Sequence, residues 1–135
     1  VSLSVYSKSA DALVLCIDDN PELLECEAAF LESFGYTVLT ASSGGMGLEL
    51  ASIYSVDIVI LGYFMPLMSE QEIAIELRRL RPQTPIILLT EGGVPEGTSN
   101  LVDALVAKDR LASKLLPAIA HLHGGGWVSP LSYEA

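Results

Sequence analysis

A doubly wound α/β fold, one five-stranded parallel sheet between two helical layers, is the fold class this sequence predicts. Three observations carry it. Apolar stretches of strand length recur along the chain, at 13–17 (LVLCI), 58–61 (IVIL), 86–89 (IILL) and 104–107 (ALVA). Between them lie segments with helix-start signals and apolar residues at helical spacing, and such alternation calls for a parallel sheet covered on both faces. Four of the strands run into chemically distinct positions: Asp18 and Asp19, Gly62, Thr90, and Lys108. Ligands of open α/β sheets bind outside the carboxyl ends of the strands, so these residues mark one candidate site.

Each element has its own local reasons. The first strand, 13–17, ends at Asp18 and Asp19. Asn20 suits a helix cap and Pro21 the first helical position. Leu23, Leu24, Ala28, Phe30, Leu31 and Phe34 then give an apolar stripe, and Gly35 is read as the residue that stops the helix. The second strand is 36–41. Ser42 or Ser43 caps a second helix over about 44–54, whose Gly44, Gly45 and Gly47 predict a weak first turn. The third strand, 57–61, leads through Gly62 into a Met65-Pro66 turn. Ser69 with Glu72 forms a capping box for the third helix, which Pro82 ends. The fourth strand is 86–90. Residues 91–100 (EGGVPEGTSN) leave room for about one turn of a fourth helix before Asp103. The fifth strand, 105–107, ends at Lys108, and Asp109 is read as the cap of the last helix, which contains Pro117. Right-handed crossovers then favour the flavodoxin-like strand order 2-1-3-4-5. The expected organisation is an N-terminal arm at 1–12, one domain at 13–123 and a short tail at 124–135.

Composition limits the function. A chain of 135 residues makes one domain, and the formal net charge of −10 with only seven basic residues argues against nucleic acid as a direct ligand. No apolar run has the ~18 residues of a membrane span, and no charged n-region with an apolar h-region opens the chain. Arg78, Arg79 and Arg81 cluster at the end of one helix, where they complement its dipole. Cys16 and Cys26 form no metal or redox motif, which suits a reduced, cytoplasmic setting. His121 and His123 stand at a helix end with no third ligand near in sequence.

At Asp18, Asp19, Met65-Pro66, Thr90 and Lys108 the chain resembles the CheY-like receiver domain of two-component response regulators, over about residues 13–122. The resemblance implies a phosphorelay role, in which a histidine kinase passes a phosphoryl group to an aspartate at the end of strand three. It implies that Asp18, Asp19 and the backbone carbonyl of Phe64 hold Mg²⁺. It implies that the Thr90 hydroxyl and Lys108 amine contact the phosphoryl oxygens. A kinase or downstream effector is the implied protein partner, on the face of the fourth helix, fifth strand and fifth helix, and a homodimer is a further partner of that kind.

The departures fall on the reaction and its relay. The acceptor position is Gly62, the aromatic switch position is Leu105, Asp109 stands where a proline follows the lysine, Ser69-Glu70 replaces the usual Asp/Asn-Gly, and the fourth helix is short. Phosphoryl transfer needs an in-line nucleophile, which glycine does not supply. The Tyr63 phenol is a poor substitute, and Asp57 lies at the other end of the strand, roughly 16 Å off. Two carboxylates alone make a weak Mg²⁺ site. Without a phosphoryl group, Lys108 is expected to pair with Asp18 or Asp19, and Thr90 to be a strand-end hydroxyl bonded to nearby backbone.

Three functions follow. The first is a pseudo-receiver: a non-enzymatic, phosphorylation-independent module that signals by protein docking and requires no cofactor. The second is an active phosphoacceptor, through another residue or because Gly62 is an introduced substitution. The third is a small flavodoxin-like enzyme using Asp18, Asp19 and Lys108. Against the third, no Gly-rich phosphate loop follows strand one, and fold alone does not imply an activity. The first is the reading adopted. The chain shows no output domain, so it is expected to act on a separate partner or to be part of a longer protein.

Overall fold

The computed structural model describes residues 12–62, 68–91, 97–98 and 100–123. The 1–11 arm, the Met65-Pro66 turn with Phe64, and the tail at 124–135 lie outside the described residues. The elements are β1 (Leu13–Ile17), α1 (Pro21–Glu32), β2 (Thr37–Ala41), α2 (Gly44–Ile53), β3 (Ile58–Leu61), α3 (Glu70–Leu80), β4 (Ile86–Thr90), β5 (Ala104–Ala107), a 3₁₀ turn (Lys108–Arg110) and α4 (Leu111–His123). All strand pairs are parallel, in the order β2-β1-β3-β4-β5. This is the doubly wound, flavodoxin-like arrangement the sequence predicts. Between β4 and β5 the described residues form turns and no helix. The rest of the segment expected to hold a short fourth helix lies outside them, so the final helix is labelled α4.

Alternation along the strands divides the core into two layers. Val14, Cys16, Ile58, Ile60, Ile87 and Leu89 pack against Leu24 and Leu31 of α1 and Leu115, Leu116 and Ile119 of α4. Leu15, Ile17, Val59, Leu61, Ile86 and Leu88 pack against Ala51 of α2 and Ile73, Ala74 and Leu77 of α3. Every residue of β3 and β4 is buried, which is why these strands are apolar without alternation.

The helix starts match their signals. Asn20 accepts from the amides of Glu22 and Leu23, Ser43 from that of Met46, and Ser69 and Glu72 form the full capping box. Several ends differ from expectation. The first helix stops at Glu32, with Ser33 as its cap, and Gly35 sits beyond it at φ +96° in the turn into β2. Strand β3 begins at Ile58 rather than Asp57. The Asp57 carboxylate accepts from the Leu13 amide at 2.7 Å and so pins the start of β1. Asp103 does the same for β4, accepting from the Ile86 amide at 2.8 Å. Asp109 is not a side-chain cap: it lies inside the 3₁₀ turn, whose N-cap is Ala107.

The glycines of α2 have a packing role that propensity alone does not suggest. A Cβ on Gly47 would lie 2.4 Å from Ile17 Cδ1, and one on Gly44 2.6 Å from Ile73 Cδ1. Glycine lets α2 press directly onto β1 and α3. The arginine cluster is likewise more than a dipole complement. Arg81 donates to the carbonyls of Ala51 and Tyr54 at 2.8 and 3.1 Å, capping the end of α2. Arg78 donates to the carbonyls of Thr84 and Leu101 and pairs with Asp103, tying α3 to both ends of the connections around β4.

Candidate functional site

The site forms where the sheet ladder runs one residue past the strands. The Asp18 amide donates to the Ala41 carbonyl at 3.0 Å, and the Gly62 amide donates to the Ile17 carbonyl at 2.7 Å. These bonds prolong the pairings of β1 with β2 and β3 and set residues 18 and 62 side by side. Thr90 ends β4, and Lys108 opens the 3₁₀ turn after β5. The topology thus gathers the four positions at one edge.

Asp18 is 1% exposed. Its Oδ1 accepts from the Asn20 amide at 2.9 Å, so it supports the turn that starts α1. Among the described residues its Oδ2 has no hydrogen-bond partner, and it lies 3.7 Å from Lys108 Nζ. A Cβ placed on Gly62 would stand 2.1 Å from that Oδ2 and 3.2 Å from the Ile17 carbonyl oxygen. The Asp18 carboxylate therefore fills the space that a side chain at 62 would enter. Burial raises the Asp18 carboxyl above its ordinary pKa; the Asn20 amide and Lys108 oppose the shift, and Asp19 adds to it.

Lys108 divides its charge between two acids. Besides Asp18, it meets Glu91 Oε2 at 3.1 Å. Thr90 is buried at the end of β4. Thr90, Glu91 and Lys108 line an open cleft of about 650 Å³ with Ala107, Asp109 and Arg110. Asp19 is exposed. Leu105 lies opposite Leu88 in the β4–β5 register and is 37% exposed. Phe64 lies outside the described residues. His121 and His123 are exposed at the end of α4.

A divalent cation of the Mg²⁺ type wants near-octahedral oxygen coordination. Among the described residues no group of three or more His, Cys, Asp or Glu side chains is placed to hold one. Asp18 offers one oxygen to the α1 turn and turns the other toward Lys108, and Gly62 brings no carboxylate. As arranged, the described residues do not form a closed divalent-cation site.

Two acids escape the sequence reading. Glu91 falls in a loop by sequence, and its pairing with Lys108 depends on the path of the chain after β4. Glu27 is the second. It is 2% exposed on the inner face of α1, its Oε2 has no hydrogen-bond partner among the described residues, and burial raises its pKa from 4.5 to about 7. The neighbouring Cys16 thiol and Lys108 pull it down, while Asp18 pushes it up. Burial also pushes the Cys16 thiol well up, with Glu27 contributing. A signal existed: Leu24, Glu27 and Leu31 stand at i, i+3 and i+7, so Glu27 lies on the buried stripe.

Residues 14–112 match the family model of the response regulator receiver domain. The chain is 36% identical over 89 residues to the transcriptional regulatory protein GlrR of Escherichia coli K12, which covers 65% of this chain and 20% of GlrR. The chain thus spans about a fifth of that relative. Among solved structures it is similar to the response regulator TrrA of Thermotoga maritima, solved in complex with Mg²⁺ and BeF (TM-score 0.77, 30% identity, 82% of this chain and 98% of that one). It is also similar to a receiver domain protein of Clostridium thermocellum (TM-score 0.73, 30% identity, 83% and 94% covered).

Proposed function

We propose that this chain, which belongs to the response regulator receiver domain family, is a pseudo-receiver: a signalling module that works without phosphorylation of the acceptor position. The observation that carries the reading is the Asp18 carboxylate lying 2.1 Å from where a Cβ of residue 62 would stand. The position has no nucleophile, and its space is already filled. Lys108, 3.7 Å away, supplies the neighbouring positive charge. The arrangement is a buried structural pair instead of a reaction centre, so the module has one resting state that partner binding can bias.

The further readings follow from it. The chain is not an enzyme, requires no cofactor and holds Mg²⁺ only weakly, through Asp18 and Asp19. It acts in the cytoplasm by docking a kinase, an effector or a second copy. The docking face comprises the segment before β5, β5 itself and α4. Leu105, exposed on that face, replaces the aromatic relay residue and alters which partner fits.

The test is intact-mass measurement after incubation with a small-molecule phosphodonor and Mg²⁺, on the chain and on Gly62→Asp. The chain is expected to gain nothing. A phosphoryl group on the unaltered chain overturns the reading, and mapping it would identify the true acceptor. Modification of Gly62→Asp alone means that the chemistry was lost at one residue and that Asp18, a two-torsion side chain, can swing aside. No modification of either means the loss extends to the surrounding cation shell. Both results sustain the pseudo-receiver reading.

A further inference from the structure

Helix α4 stands apart from the other described helices in its charge. The chain holds seventeen acidic residues, yet α4 (LASKLLPAIAHLH) contains none, whereas α1 carries four glutamates and α3 three. Leu115, Leu116 and Ile119 fill its buried side. Leu111, Lys114, Ala118 and His121, at i, i+3, i+7 and i+10, form a ridge beside it. On that ridge Lys114 and His121 are exposed and Leu111 and Ala118 half-buried. Arg110, exposed at the end of the 3₁₀ turn, extends the ridge by a second permanent cation. Among the described residues no salt bridge involves Arg110 or Lys114. The other described cations are committed: Arg78, Arg79 and Lys108 to carboxylates, and Arg81 to carbonyls at the end of α2.

Two uncommitted cations with half-buried apolar side chains beside them call for a complement that alternates carboxylates with apolar groups. Charge-assisted hydrogen bonds to carboxylates are roughly twice as strong as neutral ones, and the Arg110 guanidinium can grip a carboxylate with two parallel donors. The net charge of −10 does not forbid an acidic ligand here. At physiological ionic strength charges beyond about 8 Å are largely screened, so a segment confined to α4 meets mainly the local cations. A duplex nucleic acid, with one charge per about 1.7 Å, would run past the ridge onto acidic surface.

We propose that the ridge from Arg110 to His121 is the contact for an acidic segment of a partner protein, its carboxylates pairing with Arg110 and Lys114 and its apolar side chains lying over Leu111 and Ala118. This rests on the docking reading given above and narrows the partner to one chemistry. Asp109, exposed beside Arg110, repels carboxylates and so marks one end of the contact.

Fluorescence anisotropy on the full chain tests it with two short, monomeric helical peptides that share one leucine stripe. One carries glutamate and the other glutamine at the remaining positions, and a DNA duplex is the third probe. The glutamate peptide is expected to bind saturably, to weaken as salt is raised, and to shift proton–nitrogen NMR signals along 110–121. Lys114→Gln should weaken it about two- to fivefold, and Arg110→Gln with Lys114→Gln about tenfold. Arg79→Gln, the same charge change on α3, should leave it unaltered. The proposal is overturned if the glutamate peptide does not saturate or shifts other surfaces, or if the glutamine peptide or the duplex binds as tightly. It is equally overturned if Arg79→Gln weakens binding as much as Lys114→Gln. None of these results bears on the acceptor position, which the phosphodonor test judges by itself.

Discussion

Burial of Glu27 raises its pKa from 4.5 to about 7, and the shift has a definite sign for stability. The folded state holds this proton more tightly than the unfolded chain. Its stabilising share is complete below about pH 4.5 and is lost as pH rises through about 7. At about 1.4 kcal/mol per pKa unit the loss is on the order of 3 kcal/mol. Glu27→Gln should therefore be more stable than the unaltered chain above pH 7, the two converging in mild acid. Urea unfolding at a series of pH values checks this, and parallel curves would sink it. Asp18 shifts in the same direction, so the variant retains some decline with pH. The Gly62 edge follows the same residue-scale logic: the buried Asp18 carboxylate stands where a side chain at 62 would enter, 3.7 Å from Lys108.

Helix α2 shows how an element can be built from residues of poor helix propensity. Gly44, Gly45 and Gly47 all lie in its first turn, yet they are not equivalent. A Cβ at Gly45 meets nothing within 4 Å, whereas one at Gly47 meets three atoms of the buried Ile17 side chain at 2.4–3.3 Å. Gly45→Ala is expected to stabilise the protein by up to about 1 kcal/mol. Gly47→Ala should destabilise it by about 1–2 kcal/mol, because over-packing outweighs the propensity gain. Thermal unfolding of the two variants separates these effects; two shifts of the same sign would mean that α2 moves freely over β1. At its other end, α2 depends on Arg81 from the end of α3, so the two helices terminate as one unit.

The whole molecule carries seventeen acidic residues against seven basic ones. Self-repulsion on this scale opposes the compact state. Raising salt from about 0.01 to about 0.1 M shortens the Debye length from about 30 to about 10 Å. The urea midpoint is therefore expected to rise over that interval with an unchanged slope. A fall would mean that ion pairs such as Arg78–Asp103 and Lys108–Glu91 outweigh the repulsion. Among the described residues no helix is long and apolar enough to cross a membrane.

Much of the fold was legible because it is encoded locally. Four unbroken apolar strands, the caps at Asn20, Ser43 and Ser69, and the alternation of strand and helix determine a parallel doubly wound sheet. They also determine that residues 18, 62, 90 and 108 meet at its carboxyl edge. The absence of a nucleophile at Gly62 needs no coordinates. Tertiary structure alone decided what fills that absence. The inward turn of Asp18, the division of Lys108 between Asp18 and Glu91, the burial of Glu27 against Cys16 and the Gly47–Ile17 contact all join residues distant in sequence. Local pattern states which positions a side chain can occupy; desolvation and close packing between elements determine which atoms then share the space.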